Sequence, residues 1–153
     1  MSVEDRLREL DIELPPAPKP VASYIPVAQA GGLAFVAGQG AIVDGAVLHP
    51  GHLGAEVSVE QGQEAARRCA VQALAALKEE LGSLDRIRGI ANLTVYVASA
   101  PGFTDQPLVA NGASDLLVEL FGDAGRHARA AVGVNELPLG LSVEVAVVAE
   151  VTG

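Results

Sequence analysis

The fold class that this sequence predicts is α+β: two helices on one face of a mixed sheet, in the order β-β-β-α-β-α-β-β. Three observations predict it. Ser58-Val-Glu-Gln61 is a capping box, with a serine at the N-cap and a glutamine three residues on, and Gly82 supplies the matching stop. The runs Ile90 to Ala98 and Val143 to Val151 are rich in β-branched residues at strand length. Gly31-Gly32 and Asp44-Gly45 punctuate the first third of the chain as tight turns, which is where hairpins belong.

Taken in order, Ser2 caps a short helix reaching about Leu10, with Glu4 and Asp5 in the first turn where the helix dipole favours acids. It reads as a surface appendage. Leu14 to Pro20 is a proline-rich extended connector, because proline can neither continue a helix nor donate to a sheet ladder. Residues 1–20 thus precede a single domain over 21–153. Ser23 to Gln29 and Leu33 to Ala37 form a hairpin, Pro26 confining the first strand to an edge, and Ala46-Val47-Leu48 makes a third strand. The helix from Ser58 to Leu81 presents Ala66, Ala70, Leu74, Leu77 and Leu81 as an apolar stripe, widened by Cys69 and Ala73. After the strand Ile90 to Ala98, a loop leads into a second helix, Gln106 to Phe121, whose core face is Val109, Leu116, Leu117 and Leu120. Two strands, Ala130 to Val134 and Val143 to Val151, flank a Leu-Pro-Leu-Gly turn and end the domain.

Composition narrows the function classes. Net charge is −9, from 19 acids against 10 bases, and the aromatic residues are three Phe and two Tyr with no Trp. An acidic chain repels phosphate backbones and sparse aromatics build no base-stacking platform, so nucleic acid is disfavoured as a partner. No apolar run approaches the roughly 20 residues that span a bilayer, and the charged N-terminus lacks the apolar core of a signal peptide. These features predict a soluble cytoplasmic protein with no membrane partner. Cys69, the single cysteine, is assigned to packing. The apolar fraction leaves room for a buried subunit interface, so oligomerisation is expected.

Two motifs are set aside. Gly38-Gln39-Gly40 has no helix behind it and is no phosphate cradle, its use being close backbone approach. His49-Pro-Gly-His52 lacks helical spacing and a neighbouring carboxylate or cysteine cluster, so no metal site is predicted. What remains is Arg129 on one C-terminal strand and Glu144 on the next, charges that a pure core would not hold unpaired. By themselves they read either as a structural ion pair between neighbouring strands or as a site.

The element order carries specific residues with it. Ala37-Gly38-Gln39 stands at the end of a strand, Leu81-Gly82-Ser83-Leu84-Asp85 ends the long helix, and Ala128-Arg129, Val132, Leu137-Pro138 and Val143-Glu144-Val145 follow at fixed spacing. In these features the chain, from about Val21 to Val151, resembles the RidA family (YjgF/YER057c/UK114, also called endoribonuclease L-PSP). The resemblance implies a chorismate-mutase-like fold and a homotrimer with a central barrel and three clefts between subunits. It implies hydrolysis of reactive 2-imino acids, released as enamines, to 2-keto acids and ammonia, without metal or organic cofactor. By position, Arg129 would hold the substrate carboxylate and Glu144 would manage the proton beside the imine nitrogen. Tyr24 would be a cleft tyrosine on the first strand, and Gly38 and Gln39 would border the substrate. Ser114 stands where the archetypal branch has an asparagine, with Asn111 one helical turn earlier on about the same face.

The chain departs from that branch in three places. Arg129 is followed by Ala130-Ala131 in place of a serine and a thiol or second hydroxyl, the loop from Ser99 to Pro107 is longer, and the proline-rich extension is added. These mark a distinct subgroup of the family. They also keep open a non-catalytic trimer that binds a small carboxylate, and carbamate or ring-opening hydrolysis. The ribonuclease activity that one family name advertises is disfavoured by charge.

Overall fold

A computed structural model describes residues 1–17, 19 and 22–153. Pro18 and Pro20 of the connector, and Val21, at which the domain and the family resemblance begin, lie outside the described residues. Three helices, α1 (Val3–Glu9), α2 (Val59–Leu81) and α3 (Gln106–Phe121), accompany the strands β1 (Val27–Ala30), β2 (Leu33–Gly40), β3 (Ile42–Val43), β4 (Ala46–Val47), β5 (Ile87–Ala98), β6 (Ala128–Val134) and β7 (Val143–Val151). Five strands make the main sheet in the order β1-β2-β7-β5-β6, and β3 and β4 pair only with each other. The sheet is mixed, because β5 and β6 run parallel across the α3 connection while every other neighbour is antiparallel.

The architecture is therefore the predicted α+β one, with four differences of detail. The expected third strand, Ala46 to Leu48, is half of a separate hairpin turned at Asp44-Gly45, both with positive φ, and never joins the main sheet. The first strand begins at Val27 rather than Ser23, since Pro26 can offer only its carbonyl, which accepts from the Ala37 amide. Tyr24 consequently lies ahead of the strand, with its ring half exposed. Finally β6 and β7 are not neighbours: β5 is inserted between them, so Arg129 and Glu144 sit two strands apart.

The fourth difference concerns the N-terminus. Ser2 does cap α1, accepting from the Asp5 amide while the Asp5 carboxylate accepts from the Ser2 amide. Yet α1 is no surface appendage. Leu7 is buried, and Val3, Leu10, Ile12 and Leu14 pack against the core. The α1 end is tied down by Asp85, whose carboxylate accepts from the Val3 amide, and by Glu4, which accepts from the Leu84 amide. The beginning of the connector then crosses α2 near Ala75 and Lys78.

Every residue of the predicted α2 stripe is buried, but so are Ala65, Val71, Ala75 and Ala76. The reason is that α2 is enclosed on more than one side, by the sheet, by α3 and by the N-terminal strap. Its small residues make that possible. Gly112 of α3 lies so close to the Gln63 carbonyl of α2 that any Cβ there would overlap it. Cys69 faces Val143 and donates its S–H to that carbonyl at 3.4 Å, so it is a packing residue, as predicted.

With both helices on one face, alternation sorts each strand. Val143, Val145 and Val147 of β7 and Leu93 and Val95 of β5 point into the helical layer and are buried. The alternate positions, among them Phe35, Tyr96, Val132, Ala146 and Val148, form an opposite face on which no element of the described residues is stacked. That face is largely apolar, with Phe35 43% and Val132 44% exposed.

Candidate functional site

Parallel pairing aligns Arg129 with Leu93 and Val132 with Tyr96. Arg129 therefore leaves the edge strand β6 on the helical side of the sheet, toward α3. There its Nη1 donates to Asn111 Oδ1 at 2.8 Å and to Ser114 Oγ at 3.1 Å. Asn111 and Ser114 are one turn apart on α3 and both face the guanidinium. A guanidinium has five N–H donors, two of them on Nη1. Both Nη1 protons are taken, while the Nε–H and the two Nη2 protons pair with nothing among the described residues. Arg129 forms no ion pair with a described carboxylate either. An exposed side-on fork, held from behind by neutral partners, is a good seat for a planar carboxylate.

Ser114 is itself part of a longer chain of hydrogen bonds. Its Oγ lies 2.9 Å from His127 Nε2, and His127 Nδ1 lies 2.7 Å from the Gly125 carbonyl oxygen. Sequence reasoning gave His127 no role. The signal available was its period-two spacing from Arg129, which puts both side chains on the same side of β6.

Glu144 faces the other way. It pairs with Tyr96 of β5 and with Gly40 of β2, on the uncovered face between Tyr96 and the β2 bulge. A Cβ at Gly38 would stand 2.6 Å from Glu144 Oε2, so glycine is what admits the carboxylate there. Partial burial pushes the Glu144 carboxyl above the ordinary range, and among the described residues no cation is paired with it. Gln39 next to it is turned to the helical side, buried, with its amide donating to the Ala37 carbonyl at 3.1 Å. It braces the bulge.

Within one chain, then, the structure brings Arg129, Asn111 and Ser114 together and brings Gly38 to Glu144. It does not join the two groups. Of the residues after the arginine, Ala130 lies on the uncovered face, while Ala131 shares the side of Arg129 and packs against the core.

The histidine pair behaves differently from what its loop suggests. His49 meets Glu64 of α2 at 2.7 Å. His52 lies in a cleft of about 590 Å³ lined by Glu56, Ser99, Asn135 and Glu136. Its Nε2 donates to the Asn135 carbonyl at 2.9 Å and stands 3.1 Å from Glu136, while Nδ1 stands 3.4 Å from Glu56. Glu56 foremost, then Asn135 and Glu136, hold the imidazole above its usual range. The two carboxylates at His52 sit on opposite ring nitrogens and do not converge on one ion, and among the described residues no group of three His, Cys, Asp or Glu side chains is placed to hold a metal. The loop after Ser99 borders this cleft. Among the described residues no helix is long and apolar enough to cross a membrane.

Comparison with known proteins gives a consistent picture. The model of a family described as "YjgF/chorismate mutase-like, putative endoribonuclease" matches residues 4–151. Protein TCP17 of Trypanosoma cruzi is 45% identical over 144 residues, covering 94% of this chain and 90% of the relative. The crystal structure of Atu1372 from Agrobacterium tumefaciens superimposes with a TM-score of 0.92 at 43% identity, covering 98% of this chain and 92% of that one. A Shewanella oneidensis structure named as a putative endoribonuclease gives 0.95 at 34% identity over 99% and 100% of the two chains.

Proposed function

This chain belongs to the YjgF/chorismate mutase-like, putative endoribonuclease family, and on that footing we propose that it hydrolyses reactive imines or enamines, chiefly 2-imino acids, to 2-keto acids and ammonia. The observation that carries the reading is the Arg129 guanidinium, pinned through Nη1 to Asn111 and Ser114 with its Nε–Nη2 edge open. The substrate carboxylate occupies that edge. Binding it there fixes the imine carbon relative to the catalytic carboxyl, and orientation supplies much of the catalysis for an already electrophilic carbon.

The second group is Glu144. A carboxyl raised by burial moves protons near neutral pH better than an ordinary one. Water adds its oxygen to the imine carbon while its proton passes through Glu144 to the nitrogen. The resulting carbinolamine collapses: the C–N bond breaks, its electron pair and the hydroxyl proton leave with ammonia, and the C=O bond of the keto acid forms. The sequence is redox-neutral and consumes one water.

Because Arg129 and Glu144 lie on opposite sides of one sheet, the cleft that joins them is formed between copies. The uncovered apolar face around Phe35, Val132 and Val148 supports such an assembly, read as a homotrimer whose sheets close into a central barrel. In this reading Tyr24, exposed ahead of β1, borders that cleft.

The test generates 2-iminobutyrate in situ with a dehydratase or an amino-acid oxidase and follows keto-acid and ammonia release. Acceleration by the parent and its loss in Arg129→Ala support the proposal. An Arg129→Ala variant as active as the parent overturns it. Tight keto-acid binding without turnover would favour the second reading, a small-carboxylate-binding trimer, which the loss of a polar group at Ala131 motivates. Ribonuclease activity, suggested by the names of relatives, is opposed by the net charge of −9.

A further inference from the structure

We propose that His127 is a positioning residue for the Arg129 carboxylate fork, acting through Ser114, and that the positive charge it gains on protonation strengthens anion binding there. The inference rests on the carboxylate reading of Arg129, and it follows from donor and acceptor bookkeeping along one chain of contacts.

A backbone carbonyl only accepts, so the 2.7 Å contact between His127 Nδ1 and the Gly125 oxygen fixes the proton on Nδ1. In the neutral ring Nε2 is then a bare acceptor. The 2.9 Å contact to Ser114 must therefore be an O–H···N bond in which the serine donates. A hydroxyl that spends its only proton on His127 can meet Arg129 Nη1, 3.1 Å away, only as an acceptor. Every bond points the same way, from Arg129 to Ser114 to His127 to Gly125. His127 thus turns the Ser114 lone pair onto the guanidinium and, with Asn111, leaves the Nε–Nη2 edge free for a ligand.

A second proton on Nε2 reverses one link. The ring becomes the donor to Ser114 Oγ, which still accepts from Arg129 with its other lone pair, and the displaced hydroxyl proton must swing away from both. A new positive charge now stands within two hydrogen bonds of the guanidinium. For an anion held roughly 9 Å from that charge, Coulomb attraction at effective dielectric constants between about 20 and 80 corresponds to roughly two- to twentyfold tighter binding. By linkage the bound anion favours the protonated ring equally, so binding takes up protons. The charged groups around the ring are Arg129 across Ser114, Arg126 beside it, and Asp115 and Glu119 of α3, which share its cleft. Arg126 is paired with Asp123 at 3.9 Å. Glu119 is paired with Arg67 at 3.5 Å.

The experiment titrates 2-oxobutyrate against the full-length protein by calorimetry between pH 5.5 and 8.5, in the parent, His127→Gln, His127→Ala and Ser114→Ala. Because Glu144 also titrates, all are compared in a Glu144→Gln background. The parent background is expected to bind two- to twentyfold tighter at the acid end, with proton uptake. His127→Gln keeps an acceptor for the Ser114 hydroxyl but has no proton to gain, so it should bind better than His127→Ala at the alkaline end and lose the pH slope. Ser114→Ala leaves the ring and its charge in place but removes the lone pair that braces the guanidinium, so it should weaken binding across the whole range and keep most of the slope. Equal slopes in the parent and in His127→Gln overturn the proposal while leaving Arg129 as the anion seat. Binding that survives Arg129→Ala, or no binding by the parent at any pH, overturns the carboxylate reading and this proposal with it. Imidazole 15N shifts of the free protein check the premise independently, since an Nε2–H tautomer of His127 overturns the proposal without any ligand.

Discussion

Arg129 and Glu144 occupy opposite faces of the same sheet, with the whole of β5 between their strands. Within one chain the sheet stands between them. If the cleft is shared by neighbouring copies in a closed ring, defects in the two residues should complement. Arg129→Ala and Glu144→Gln, each inactive alone, are expected on unfolding and refolding together to recover about a quarter of parental imine hydrolysis, because random mixing leaves one cleft in four with both groups intact. Mixed assemblies that stay as inactive as either parent variant would place both groups in one chain's site or outside the chemistry.

Gly38 tests the carboxylate side alone. A methyl group there would stand 2.6 Å from Glu144 Oε2 and 3.0 Å from its Cδ, too close for either to stay. The side chain is free to swing, so Gly38→Ala should fold. Moving a proton-transfer group by about 1 Å costs on the order of 100-fold in rate. The expected result is a fall in kcat of that order, with the keto-acid affinity set by Arg129 nearly unchanged. A variant with unaltered kcat would remove Glu144 from the reaction.

Gly112 tests the platform on which Asn111 and Ser114 stand. In an exposed helix Gly→Ala stabilises by about 1 kcal/mol. Here the new Cβ would overlap the Gln63 carbonyl, a backbone atom that cannot turn aside, and overpacking costs about 1–3 kcal/mol. The clash should win, since relieving it requires α2 and α3 to separate. Gly112→Ala is expected to lower the denaturation midpoint with an unchanged m-value, and to weaken carboxylate binding because its neighbours no longer meet Arg129. A raised midpoint would show that the helices have room to spare.

How much of this was legible beforehand depends on the range of the interaction. The α2 capping box, the Gly82 stop and the apolar stripe are local signals, and the structure keeps each of them. Strand order is not local. Nothing in Ala128 to Val151 states that β5 enters between β6 and β7, and that one insertion turns an apparent ion pair into two separated groups. The same holds for α1, whose amphipathic pattern suits a surface helix until Leu7 finds the far-off core. Asn111 and Ser114 could be placed on one helix face by spacing, whereas their convergence on Arg129, and the tie from Ser114 to His127, needed the α3–β6 packing.

The Glu144 carboxyl should leave a mark on stability that opposes the catalytic role proposed for it. Burial raises its pKa above the ordinary 4.5, and no cation among the described residues offsets that. At pH values below the ordinary carboxyl range the group is protonated whether the chain is folded or not. As pH rises from there, the unfolded chain ionises first and the folded state holds its proton, so folding stability declines until Glu144 ionises in the folded protein too. Above that point a constant penalty remains. Glu144→Gln removes the penalty while keeping the size of the side chain, so its melting temperature is expected to exceed the parent's at pH 7, with the gap closing as pH falls toward 4.5. The group is only partly buried, so the gap is modest, and its sign is what decides. A gap of opposite sign would mean that the ionised carboxylate is stabilised where it lies. In that case Glu144 would serve as a fixed negative charge in the cleft, and the proton transfers assigned to it would have to pass through water.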